Sequence, residues 1–144
     1  MKRIAGVLIA VVAGAGLASP ALSDSTVSPA DQTAIQALIA GQIDAFRRSD
    51  DAAAYADASP SIHDIFPTVD AFMAMVRNGY QPVYRPQSVI FGKVEPGTMG
   101  PLEKVYVTGP DGKNYVAVYS LQQQPDGSWK INGCSLVPDD TPSI

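Results

Sequence analysis

MAMVRNGYQPVYRPQSVIFG, residues 73–92, is where the hydrophobic period of the chain changes, and its reading decides the fold class. Val69, Phe72, Met73 and Val76 fall at i, i+3, i+4 and i+7, one apolar face of a helix. Gly79 stands where a left-handed residue would end that helix, near Asn78. Pro82 and Pro86 each bias the residue before them toward extended geometry, so Tyr80 to Pro86 is expected to cross as a stiff, aromatic-rich connection. Beyond it, Val89 and Phe91 alternate with Ser88 and Ile90, the period of a strand.

Upstream of this switch the pattern is helical. Ser28-Pro29 supplies an N-cap and a first-turn proline for a helix expected to run to about Ser49. Ile35, Leu38, Ile39, Ile43 and Phe46 share its apolar face, and Gln42 projects into the middle of that stripe. A buried amide must be hydrogen-bonded, so Gln42 either satisfies a backbone group in the core or faces a polar cavity. Ser49-Asp50-Asp51 opens a short Ala-rich helix to about Ala58, Ser59-Pro60 opens another with Ile62, Ile65 and Phe66, and Thr68 caps the helix ahead of the switch. His63, the one histidine, has no Cys, His or carboxylate at ligand spacing, and no metal site is expected.

Downstream the period stays at two. Four strands are read at Ser88–Val94, Glu103–Thr108, Asn114–Gln123 and Ser128–Val137. Pro110-Asp111-Gly112 and Pro125-Asp126-Gly127 join the last three as antiparallel hairpins, and Gly133 suggests a bulge that returns Cys134 and Leu136 to the face of Trp129 and Ile131. Helices first and a meander after them make an α+β fold, with N-terminal helices in the concave face of a curved four-stranded antiparallel sheet. Trp129, Ile131, Phe46, Leu38 and Phe72 are expected to meet in one core.

The first 23 residues read as a secretory signal: Lys2 and Arg3, an apolar run from Ile4 to Ala18, then Ala21-Leu22-Ser23 with cleavage before Asp24. Three parts follow: a signal peptide at 1–23, one domain at 24–138 and a polar tail at 139–144, in a periplasmic or secreted protein. Removing the signal leaves 121 residues carrying eight Lys and Arg against fourteen Asp and Glu, a formal charge of −6. That balance argues against nucleic acid or an anionic membrane as partner. The single Cys134 excludes an intramolecular disulfide and reads as a buried, inert thiol.

Phosphate-binding glycine loops, paired metal ligands and a Ser-His-Asp set are all missing from the sequence, and no cofactor is expected. Gln42, Tyr80, Tyr84, Arg85 and Cys134 form the candidate ligand-binding set, in which tyrosine hydroxyls donate to a carbonyl and Arg85 holds a carboxylate. The same tyrosines and Arg85 also admit a purely structural reading, as pins of the helix-to-sheet crossover. The two function classes are a non-catalytic module for a small ligand or protein partner, with homodimerisation open, and a cofactor-free isomerase, dehydratase or hydrolase.

The run IAGQIDAFRRSDD at 39–51, Ala58-Ser59-Pro60, the 71–92 segment with GYQPVYRP inside it, and QPDGSWKINGCSLVP at 124–138 together resemble the exported proteobacterial family called domain of unknown function 4864. The resemblance covers nearly all of the chain after the signal. It implies a cone-shaped fold similar to the nuclear transport factor 2-like (SnoaL-like, cystatin-like) superfamily, and it implies no activity. The catalytic carboxylates and histidines of the superfamily's enzymes find no matching positions here.

Overall fold

The computed structural model describes residues 27–140, so the expected signal peptide and its expected cleavage point lie outside the described residues, as does the end of the tail. Five helices precede four strands: α1 (Pro29–Arg47), α2 (Asp51–Ala56), α3 (Pro60–Ile65), α4 (Val69–Gly79), α5 (Gln81–Tyr84), β1 (Ser88–Glu95), β2 (Leu102–Thr108), β3 (Asn114–Gln123) and β4 (Trp129–Pro138). The fold is α+β, with an open antiparallel sheet in the order β1-β2-β3-β4.

Local chemistry accounts for most of the element boundaries. Ser28, Asp50, Ser59 and Thr68 each sit at an N-cap and accept a bond from a backbone N–H three residues on, at 3.1, 3.2, 3.3 and 3.1 Å. At the far end of α1 the chain reverses through Ser49, a non-glycine residue at φ 59°. Its N–H donates to the Phe46 carbonyl and the Asp50 N–H to the Ala45 carbonyl, the paired bonds of a Schellman ending. The two Pro-Asp-Gly turns close alike: Gly112 and Gly127 have φ of 82° and 91°, and Asp111 and Asp126 each accept from the N–H two residues on.

The helices cover one face of the sheet. Ile35, Ile39, Ile43 and Phe46 of α1 and Phe72, Met73 and Val76 of α4 are buried against Val105, Val107, Ala117, Tyr119, Leu121 and Ile131. Among the described residues no helix covers the other face, and register sets Ile90, Tyr106, Val116 and Val137 in one row across its four strands. A main-chain splice joins the helical half to the last strand. Ile131 N–H donates to the Asp57 carbonyl at 2.9 Å, Ser59 N–H to the Ile131 carbonyl at 2.8 Å, and Ser59 Oγ to Asn132 Oδ1 at 2.7 Å.

Four expectations are corrected. Gly79 is not left-handed: Tyr80 N–H bonds the Val76 carbonyl and the chain runs straight into α5. The crossover is therefore one helical turn rather than an extended strap, with Pro82 in the first turn, where a missing N–H costs nothing. Pairing slips at Asn132 rather than Gly133, since Ser120 faces Gly133 while Leu121 faces Ile131. Trp129 and Leu38 are only half-buried at the rim, where Trp129 Nε1 donates to Asp31 Oδ1 at 3.2 Å.

The centre of the core lies under α1 instead. Ile39→Ala there should cost about 3 kcal/mol in urea unfolding, within the usual range for a fully buried Ile. Trp129→Ala should cost less than that despite removing more atoms; a larger loss than at Ile39 would return Trp129 to the core.

Candidate functional site

Between the helices and the β3–β4 half of the sheet lies a cavity of about 240 Å³. Gln42 and Phe46 come to it from α1, Ile62 and Phe66 from α3 and its end, Phe72, Met75 and Val76 from α4, and Val83 from α5. Tyr119, Ile131, Gly133 and Cys134 form its sheet side. The splice to Ile131 holds the end of α2 and the start of α3 at the edge of the sheet, while α1 reaches both outer strands, β1 and β4. No residue of α3 is buried, so this helix is the thin outer wall. Phe72 is tilted against Tyr55 and edge-on to Phe66, and His63 stacks on the Tyr55 ring at 3.9 Å with Nε2 2.8 Å from the Tyr55 carbonyl.

Three of the five candidate residues, Gln42, Tyr80 and Cys134, line this cavity. Gln42 is 4% exposed and its Nε2 donates to the Ala54 carbonyl at 3.0 Å, so it ties α2 to α1 while bordering the space. The Tyr80 hydroxyl donates to the Cys134 carbonyl at 2.9 Å, joining the helix-to-sheet crossover to β4. Burial pushes the Tyr80 hydroxyl above the ordinary tyrosine value, with Cys134 adding to the rise. Cys134 is half-buried, and desolvation pushes its thiol up to about 12, against a smaller opposing effect of Tyr119. It is a neutral thiol at pH 7.

Tyr84 and Arg85 do not line the cavity. One Arg85 guanidinium nitrogen donates to the Phe46 carbonyl at the end of α1 and to the Tyr84 carbonyl at 3.1 Å. The other reaches Ser49 Oγ at 3.1 Å and the Tyr84 hydroxyl at 3.2 Å, and the group lies 4.0 Å over the Tyr84 ring. A cation on the last carbonyls of a helix complements both the orphan acceptors and the dipole. Arg85 thus fastens the crossover to the end of α1.

Two residues of the buried sheet face were passed over in the sequence, Tyr119 and Glu103. Their signal was the strand period: Tyr119 alternates inward with Ala117 and Leu121, and Glu103 with Val105 and Val107. They are register partners, and Cys134 is the next partner along. Tyr119 is 1% exposed; its hydroxyl makes no well-aligned hydrogen bond and has only the weak Cys134 thiol beside it. Burial drives its ionisation well above the ordinary tyrosine value. Glu103 is fully buried and neither carboxyl oxygen has a well-aligned partner, because the nearby Gln36 amide donates to the Gly92 carbonyl at 3.0 Å. Desolvation raises its pKa, Gln36 offsets part of the rise, and the charge of Glu95 adds to it. Among the described residues no three His, Cys, Asp or Glu gather as a metal site.

Two outcomes follow from these contacts. Arg85→Ala should lose about 1 to 3 kcal/mol, the worth of hydrogen bonds from a charged donor, since the Phe46 carbonyl keeps the Ser49 N–H; a melting curve matching the unchanged protein would remove Arg85 from the role of pin. For Glu103 the folded carboxyl binds its proton more tightly than the unfolded one does. Stability is therefore fully present below the unfolded pKa of about 4.3 and falls as pH rises toward the raised folded value. Glu103→Gln should flatten that part of the curve, with the two proteins agreeing near pH 4 and separating above it; parallel curves would show that Glu103 is already ionised in the fold.

No match was found among curated proteins or among solved structures. A family model described as "Domain of unknown function (DUF4864)" matches residues 28–144, a span that takes in every element from α1 to β4, and the chain belongs to that family.

Proposed function

We propose that this is an exported, non-catalytic module that holds a small, largely apolar ligand in the cavity between α1, α4 and the sheet. The architecture is proposed to be of the nuclear transport factor 2-like kind, in which helices shelter a pocket against a sheet. The carrying observation is the wall itself: aliphatic and aromatic side chains with a few polar groups and, among the described residues, no Asp, Glu, His, Lys or Arg.

The same wall weighs against the enzymatic alternative. An isomerase, dehydratase or hydrolase working without a cofactor needs an acid or base within hydrogen-bond reach of its substrate. The ionisable groups here are Tyr80, Tyr119 and Cys134, and burial raises the pKa of all three. None is poised to exchange a proton near neutrality.

Native mass spectrometry of protein recovered from the periplasm of a secreting host should show a retained small molecule. Val76→Phe, which fills the space from α4, should lose that mass and the uptake of Nile red while melting no lower than the unchanged protein. A protein that always flies at its bare mass and takes up no dye would end this reading.

A further inference from the structure

We infer that the ligand is a neutral molecule carrying a hydroxyl or amide N–H that donates to Gln42 Oε1. This rests on the cavity being a ligand site, as proposed above, and adds the chemistry that the site would recognise.

An accounting of the polar side chains around the cavity leads to that oxygen. The Tyr80 hydroxyl is committed to the Cys134 carbonyl, and the Tyr119 hydroxyl is sealed behind the wall with the Cys134 thiol beside it. Gln42 is committed at one end only. Its Nε2 donates to the Ala54 carbonyl at 3.0 Å, which leaves the acceptor at the other corner of the same planar amide. Among the described residues, the side-chain atoms both sealed and unpartnered are Asp51 Oδ1, the two Glu103 oxygens and the Tyr119 hydroxyl. Gln42 Oε1 is not one of them and no described donor bonds it, so a group the size of water can reach it. The residue as a whole is 4% exposed and borders the cavity, which makes the cavity the side from which its oxygen is reached.

A purely apolar occupant would cut this oxygen off from water without replacing the bond, a cost that a donor on the ligand avoids. The bond to Ala54 already fixes the amide, so little side-chain freedom is left to lose when a ligand docks on it. Neutrality follows from charge: with no cation in the described wall an incoming carboxylate would be desolvated unpaired, and with no anion there an ammonium would be too. An apolar cavity of about 150 Å³ accepts benzene, so one of about 240 Å³ suits a somewhat larger frame. The site therefore fits an alcohol, a phenol or a neutral amide on a hydrocarbon skeleton of about two rings.

Four commercial probes on one two-ring frame separate the possibilities: 1-tetralol, 1-tetralone, tetralin and protonated 1-aminotetralin, titrated by calorimetry into the full folded chain. The alcohol, which can donate, should bind about tenfold more tightly than the ketone, which cannot, the worth of one buried hydrogen bond; the ammonium should not bind measurably. In Gln42→Met, which keeps the length of the side chain and removes its oxygen, that advantage of the alcohol should vanish. Nuclear Overhauser contacts should join the Gln42 side-chain amide protons to bound 1-tetralol in the unchanged protein, a measurement that decides the matter even if Gln42→Met does not fold. Equal affinities for alcohol and ketone, tightest binding of the ketone or the ammonium, tetralin binding where the alcohol does not, an advantage that survives in Gln42→Met, or absent contacts to Gln42 would each overturn this inference and leave the ligand-binding reading standing. Failure of all four probes to bind would take down both.

Discussion

The parallel bridge between Ala58 and Ile131 is the constraint on which the rest of the molecule depends. Two main-chain hydrogen bonds, the Ser59–Asn132 side-chain bond and Lys130 Nζ on the Ala56 carbonyl fasten the end of α2 and the start of α3 to the outer strand. α1 meets both outer strands, β1 and β4, while α3 meets β4 and α5 meets β2. The cavity lies among α1, α3, α4 and α5 on the β3–β4 side of the sheet. The slip in pairing at Asn132 belongs to the same device, since an extra residue in β4 bends the strand where it meets the bridge. Part of the exposed edge of β4 is covered at the same stroke, which limits pairing with other chains.

Much of this was legible because it is local. An N-cap residue is recognised from its neighbours, and Ser28, Asp50, Ser59 and Thr68 all cap as their surroundings suggest. The Pro-Asp-Gly hairpins and the four strands are local too, and their bounds differ from the sequence reading by one residue at most at each end. What escaped was long-range. Nothing near Gly79 in sequence says that a second helical turn, Gln81–Tyr84, begins one residue after α4 ends and buries Val83 against the core. Nothing near Arg85 says that its acceptor is Phe46, 39 residues earlier. Gln42 was the informative exception: a lone amide in an apolar stripe announced a buried partner, and the Ala54 carbonyl is that partner.

A row of three polar side chains, Glu103, Tyr119 and Cys134, crosses three strands under the helices where a core would otherwise be hydrocarbon. Buried oxygens without partners weaken a fold, and this domain carries three of them on two adjacent residues of that row. Native structures tolerate few such groups, so each calls for an explanation in function or in bound solvent. The row has one end at the cavity, at Tyr119 and Cys134, and the other under α1 beside Gln36. At the cavity end Tyr119 has the Cys134 thiol beside it, whereas at the other end burial raises the pKa of Glu103 and favours its neutral form.

The stiff crossover then takes its meaning from what it positions rather than from what it touches. Arg85 locks the end of α5 to the end of α1, and Pro82 and Val83 bury the turn itself. Between those anchors and α4, Tyr80 is left with little freedom, and its hydroxyl bonds the Cys134 carbonyl on β4. With the Ala58–Ile131 bridge, this bond ties β4 to the helix layer at both Ile131 and Cys134. Both fastenings end on main-chain atoms of β4, so they do not depend on which side chains face the cavity. The outer wall, α3, has no buried residue and is held instead by bonds at its ends, from Ser59 to Asn132 at its start and from the Tyr55 hydroxyl to the Phe66 carbonyl at its end.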